Sequence, residues 1–67
     1  MPDARRWLED LTYEIAVWTD AGRLAVVLAK AGHFQVAVAA YESAVLAFPD
    51  RHVTLRQGTR VIRERKP

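Results

Sequence analysis

Between Leu11 and Ala31 two apolar runs flank Asp20-Ala21-Gly22, and this arrangement limits the folds open to the rest of the chain. The first run, Leu-Thr-Tyr-Glu-Ile-Ala-Val-Trp-Thr, is rich in β-branched and aromatic residues, which lose rotamer freedom in a helix and fit a pleated surface. Arg-Leu-Ala-Val-Val-Leu-Ala answers it after a glycine, the residue that takes positive φ without steric cost. The pattern predicts a β-hairpin. Tyr13, Ile15 and Val17 fall on one side of its first strand, with Glu14, Ala16 and Trp18 on the other, while Leu24, Val26 and Leu28 alternate with Val27 and Ala29 on the second. Both faces are largely apolar, so the hairpin is expected to be covered on two sides.

Gly32 separates this hairpin from an alanine-rich segment. Phe34, Ala37, Tyr41, Ala44, Val45 and Phe48 recur at helical spacing, and Pro49-Asp50 stops the pattern. Val36, Ala39, Ala40, Leu46 and Ala47 fill the opposite side, leaving Gln35, Glu42 and Ser43 as nearly the only polar positions. A helix apolar nearly all round is expected to be covered nearly all round. From His52 to Arg65 a second hairpin is predicted, turning at Gln57-Gly58. In that register Arg56 faces Thr59, Leu55 faces Arg60 and Val53 faces Ile62, so Val53, Leu55 and Ile62 share the core side. Thr54, Arg56, Val61 and Arg63 then point outward. The expected fold is α+β in a single domain: a short helix or arm over residues 1–10, a β-β-α-β-β core over 11–64, and a basic tail at 65–67.

A chain of 67 residues buries only about 60% of its unfolded surface, so its core alone supplies a few kcal/mol. With no cysteine, disulfides and thiolate metal sites are excluded, and His33 and His52 are too far apart to form a local ligand pair. A second chain is the expected reinforcement. Asp3, Glu9 and Asp10 interrupt any leader-like apolar run, and no stretch approaches the roughly 20 apolar residues of a membrane span. The expected compartment is the cytoplasm, a reducing environment that suits a cysteine-free chain.

No catalytic, metal or nucleotide motif stands out. His33 and His52 lack a carboxylate or second histidine at catalytic spacing, adjacent Glu9 and Asp10 do not face each other on a helix, and Ser43 has neither an elbow motif nor a base. The expectation is a non-enzymatic module without a cofactor, acting through hydrophobic contact with a second copy of itself, as a dimer, or with another protein. Trp18 stands on the side of the first strand that a single helix cannot cover, so Ala16, Trp18, Val27 and Leu46 are the candidate interface residues. The alternative is nucleic-acid binding. Residues 1–50 hold four basic and seven acidic side chains, whereas residues 51–67 hold six basic and one acidic. Arg56, Arg60, Arg63 and Arg65 on the second hairpin are the candidate phosphate contacts, although no aromatic on that hairpin is available to stack on bases.

The pattern Tyr13-x-Ile-x-Val-Trp-x-x-x-Gly-Arg, the alanine-rich helix ending at Phe48-Pro49, and Val53-Thr-Leu-Arg-x-Gly-x-Arg-Val-Ile resemble small uncharacterised bacterial proteins over residues 11–64. That resemblance implies the β-β-α-β-β fold and no activity. Leu24-Ala25-x-x-Leu28, Gly32-x-Phe34-x-x-Ala37-x-x-x-Tyr41-x-x-Ala44 and Pro49 resemble a single tetratricopeptide repeat. This second resemblance implies a helical peptide-binding unit, whose first helix takes in Asp20-Ala21-Gly22 as well as Leu24–Leu28.

Overall fold

The computed structural model describes residues 12–67, so the helix or arm expected over residues 1–10 lies outside the described residues. Strands β1 (Tyr13–Trp18) and β2 (Leu24–Ala31) form the first hairpin, helix α1 (Phe34–Ala47) follows, and β3 (His52–Gln57) and β4 (Arg60–Arg65) form the second. The β-β-α-β-β order is the expected one. All four strands join one antiparallel sheet in the order β2-β1-β3-β4, which puts the first strand of each hairpin at the centre and the second at the rim. Leu24–Leu28, a helix under the tetratricopeptide resemblance, lies within β2, so the helix pair of such a repeat is not formed.

Local chemistry accounts for both turns. Gly22 has φ 78°, and the Thr19 side chain tightens its turn by accepting the Arg23 backbone N–H at 3.1 Å. Gly58 has φ 60° and opens the two-residue loop Gly58-Thr59, as a type II′ turn requires of its first position. This loop lies one residue beyond the expected Gln57-Gly58. Gln57 therefore pairs with Arg60 and Arg56 with Val61, and a bulge between Leu55 and Arg56 sets Leu55 opposite Arg63 and Val53 opposite Arg65. The register expected for this hairpin is corrected throughout. Ile62 still packs against the core, because the bulge leaves it on the Leu55 side.

The core lies between the two central strands and one stripe of the helix. Ile15 and Val17 of β1, Val53 and Leu55 of β3, and Ala37, Tyr41 and Ala44 of α1 are buried together, with Tyr13, Ala29, Val45, Phe48 and Ile62 packed around them. The expectation of a helix covered nearly all round is not met within the chain: Leu46 is 83% exposed and Val36 59%. Phe34 is half-exposed, its ring set edge-on to Tyr13 at 5.5 Å between centroids. Two-sided cover also fails for β2, where Leu24, Val26 and Leu28 are exposed, because this strand is the rim of the sheet. Among the described residues, no helix is long and apolar enough to cross a membrane.

Candidate functional site

On the sheet face turned away from α1, side chains alternate with the core residues of the same strands. Glu14, Ala16 and Trp18 of β1 sit opposite Arg56, Thr54 and His52 of β3. The indole Nε1–H of Trp18 donates to Thr54 Oγ1 at 2.8 Å, and the Arg56 guanidinium carbon lies 5.0 Å from the indole ring centroid. Arg56 Nη2 also approaches Glu14 Oε1 at 3.8 Å, a long and partly exposed pair of small energetic weight. Thr54 is buried and Ala16 is wholly inaccessible.

The residues expected at an interface are placed differently from one another. Ala16 cannot reach a partner. Trp18 is half-buried, with its polar edge bonded to Thr54 and Arg56 over its ring. Val27 pairs with Ala16 and is half-buried, whereas Leu46 lies on α1, so the four residues named from sequence form no common patch. Trp18→Phe should remove the indole hydrogen bond and strand the Thr54 hydroxyl, at a cost of about 1 kcal/mol. The check is a lower urea midpoint by circular dichroism; an unchanged midpoint would mean that the Trp18–Thr54 bond holds nothing together.

The arginines are also divided. Arg65 belongs to β4 and not to the basic tail expected at 65–67: it reaches the end of α1, where Nη2 donates to the carbonyls of Val45, at 3.3 Å, and Phe48, and Nη1 donates to that of Pro49. The last turn of α1 has no basic residue of its own, so Arg65 brings a cation to the negative end of the helix dipole from the neighbouring strand. Arg56 is engaged with Trp18 and Glu14. Arg60 and Arg63 are exposed. The structure therefore does not present Arg56, Arg60, Arg63 and Arg65 as one cationic surface.

His52 does have a carboxylate partner, contrary to the reading from sequence spacing. Pairing of β3 with β4 brings Glu64 Oε2 to 2.9 Å from His52 Nε2, twelve residues away along the chain. His52 borders an open hollow of about 230 Å³ that Thr19, Asp20, Gly22, Lys66 and Pro67 also line. Among the described residues, no group of three or more His, Asp or Glu side chains could hold a metal ion. His33 is the exposed N-cap residue of α1 and makes no side-chain capping bond.

The apolar surface lies elsewhere. Leu28 and Ala29 of β2 face Ala40, Ser43, Ala44 and Ala47 of α1 across an open, mainly apolar groove of about 290 Å³, with Phe48 at its end. The groove exists because small residues, three alanines and Ser43, fill the helix positions over β2, where larger side chains would close it. Its outer boundary is the rim strand β2, whose eight residues include one charge, Lys30. The opposite rim, β4, has Arg60, Arg63, Glu64 and Arg65 among six residues. Charge on an edge strand discourages pairing with other chains, and β2 is almost without it. The exposure of Leu24, Val26 and Leu28 could not be read from sequence, because alternation alone does not say which strand of a hairpin is outermost. No protein-family model, curated protein or solved structure matches this chain.

Proposed function

We propose that this chain is a non-enzymatic protein-interaction or structural module that associates with itself through its sheet-and-helix apolar surface. The supporting observation is the exposure of Val26 and Leu28 on the helix side of a nearly uncharged edge strand, beside an open and mainly apolar groove, with Leu24 exposed on the other face of the same strand. Contiguous apolar surface of this kind marks contact sites, and an unpaired strand edge adds a row of backbone donors and acceptors. The small core and the lack of cysteine also favour reinforcement by a second chain. Sedimentation at micromolar concentration should give about twice the 7.6 kDa chain mass. A well-folded monomer across the accessible concentration range would overturn self-association.

Nucleic-acid binding is the second reading, supported by the exposed Arg60 and Arg63. Two phosphate contacts give a shallow salt dependence, with a slope of about −2 in log affinity against log salt. Weak binding at low salt that disappears near physiological salt is the expected result in a fluorescence-anisotropy titration with single-stranded and duplex DNA. Submicromolar affinity at physiological salt, abolished by Arg60→Ala with Arg63→Ala at unchanged mass, would move the function to the second hairpin.

A further inference from the structure

Self-association leaves open which surface is joined, and β2 supplies a specific answer. We infer that two copies pair along β2, antiparallel, to make one eight-stranded sheet of order β4-β3-β1-β2-β2-β1-β3-β4. This rests on the reading of the chain as a self-associating module and adds the surface and symmetry of the contact.

Three observations favour a second copy at this edge. Backbone chemistry is the first: β1 engages one side of β2, and the other side is the rim of the sheet, where a strand of the same length satisfies the same row of groups. Charge is the second. Asp20 and Arg23 lie just before β2 and Lys30 near its end, so the antiparallel arrangement that two-fold symmetry imposes leaves these charges at the two ends of the seam. Between them, Leu24 to Ala29 carry no charge to be buried at the seam.

The third observation is the side on which the exposed apolar groups lie. Val26 pairs with core-facing Val17, and Leu28 lines the groove beside α1, so both are on the helix side of the sheet. A two-fold axis perpendicular to the sheet keeps both helices on that same side. The two grooves then adjoin over the seam, where Val26 and Leu28 of the two copies meet. Val36, 59% exposed and one helical turn before Ala40 of the groove wall, flanks this space. One contact thus covers exposed side chains that the chain's own helix leaves in water.

The absence of native cysteine makes the symmetry directly measurable. Cysteine is introduced singly at Leu24, Val26, Val27, Leu28, Leu46 and Val61 in the full chain, and each variant is oxidised and weighed without reductant. Directly opposed Cα atoms in an antiparallel pair are about 4.5–5.5 Å apart, within disulfide reach. Only a residue beside the two-fold axis meets its own copy, so covalent dimer should peak at one position within 24–28 and fall away on either side, with little at Leu46→Cys or Val61→Cys. In parallel, Val26→Lys should lower the sedimenting mass from two chains to one while circular dichroism is unchanged, and Leu46→Lys should leave the dimer intact. If dimers survive Val26→Lys but are lost in Leu46→Lys, or cross-link best at Leu46→Cys, the β2 seam is wrong and self-association stands. A monomeric wild type that cross-links nowhere refutes the seam together with the reading it rests on.

Discussion

Leu55→Ala should leave much of the chain unfolded at 25 °C. Leu55 is fully buried among core side chains drawn from β1, β3 and α1, and it stands opposite Ile15 across the central strand pair. Truncating a buried leucine to alanine costs about 2–5 kcal/mol through lost transfer energy and the remaining cavity. A core of this size supplies only about 3–5 kcal/mol in total. One substitution therefore consumes most of the margin. Urea unfolding followed by circular dichroism should show a midpoint close to zero denaturant or no cooperative transition. Val61→Ala, at a half-exposed position on the rim strand, should shift the midpoint little. Both variants are to be compared at one protein concentration, since association stabilises the folded state by mass action. A cooperative transition at the wild-type midpoint for Leu55→Ala would show that the β1–β3 contact is not the centre of the core.

Arg65→Ala should produce the second-largest loss, about 2 kcal/mol, on the scale of a hydrogen bond involving a charged group. The guanidinium ties the last residue of β4 to the carbonyls of Val45, Phe48 and Pro49, joining the rim strand to the end of the helix. Part of the loss is offset because the freed carbonyls gain access to water. Arg65→Lys restores the charge near the helix end but not the two-pronged geometry, so it should recover only part of the stability. The urea midpoints should fall in the order wild type, Arg65→Lys, Arg65→Ala. Equal midpoints for wild type and Arg65→Ala would mean that Arg65 caps nothing of consequence.

Much of the fold was legible because its signals are local. Gly22 and Gly58 take the positive φ their turns need, the β-branched runs form strands, and Pro49 follows a helix that ends at Ala47. Relations between elements were harder to read. β1 and β2 look equally apolar, yet one is central and the other is the rim, since strand order is set by tertiary pairing. The loop at Gly58-Thr59 and the bulge beside Leu55 shifted the second hairpin's register, because a type II′ turn wants its glycine first. The side chains proposed for contact fared according to their neighbours. Trp18 and Arg56 could be picked out singly as anchor and phosphate ligand, but cross-strand pairing joins them over Thr54. No local pattern links Arg65 to the end of a helix twenty residues earlier, or His52 to Glu64. The surplus of apolar residues on α1 was visible, whereas the groove beside Ala40 and Ala44 depends on where β2 lies.

The contrast between the two rims also bears on how many chains can come together. Indefinite lateral growth needs a strand to be received on one side and offered on the other, so that every addition exposes a fresh attachment point. Here the far rim carries three arginines and a glutamate, and a second such rim brought against it would meet predominantly its own sign of charge. On the proposed β2 pairing each molecule therefore has a valence of one. Joining two nearly uncharged rims in that pairing consumes both, so an edge chemistry that elsewhere feeds fibres would end in an assembly that terminates itself.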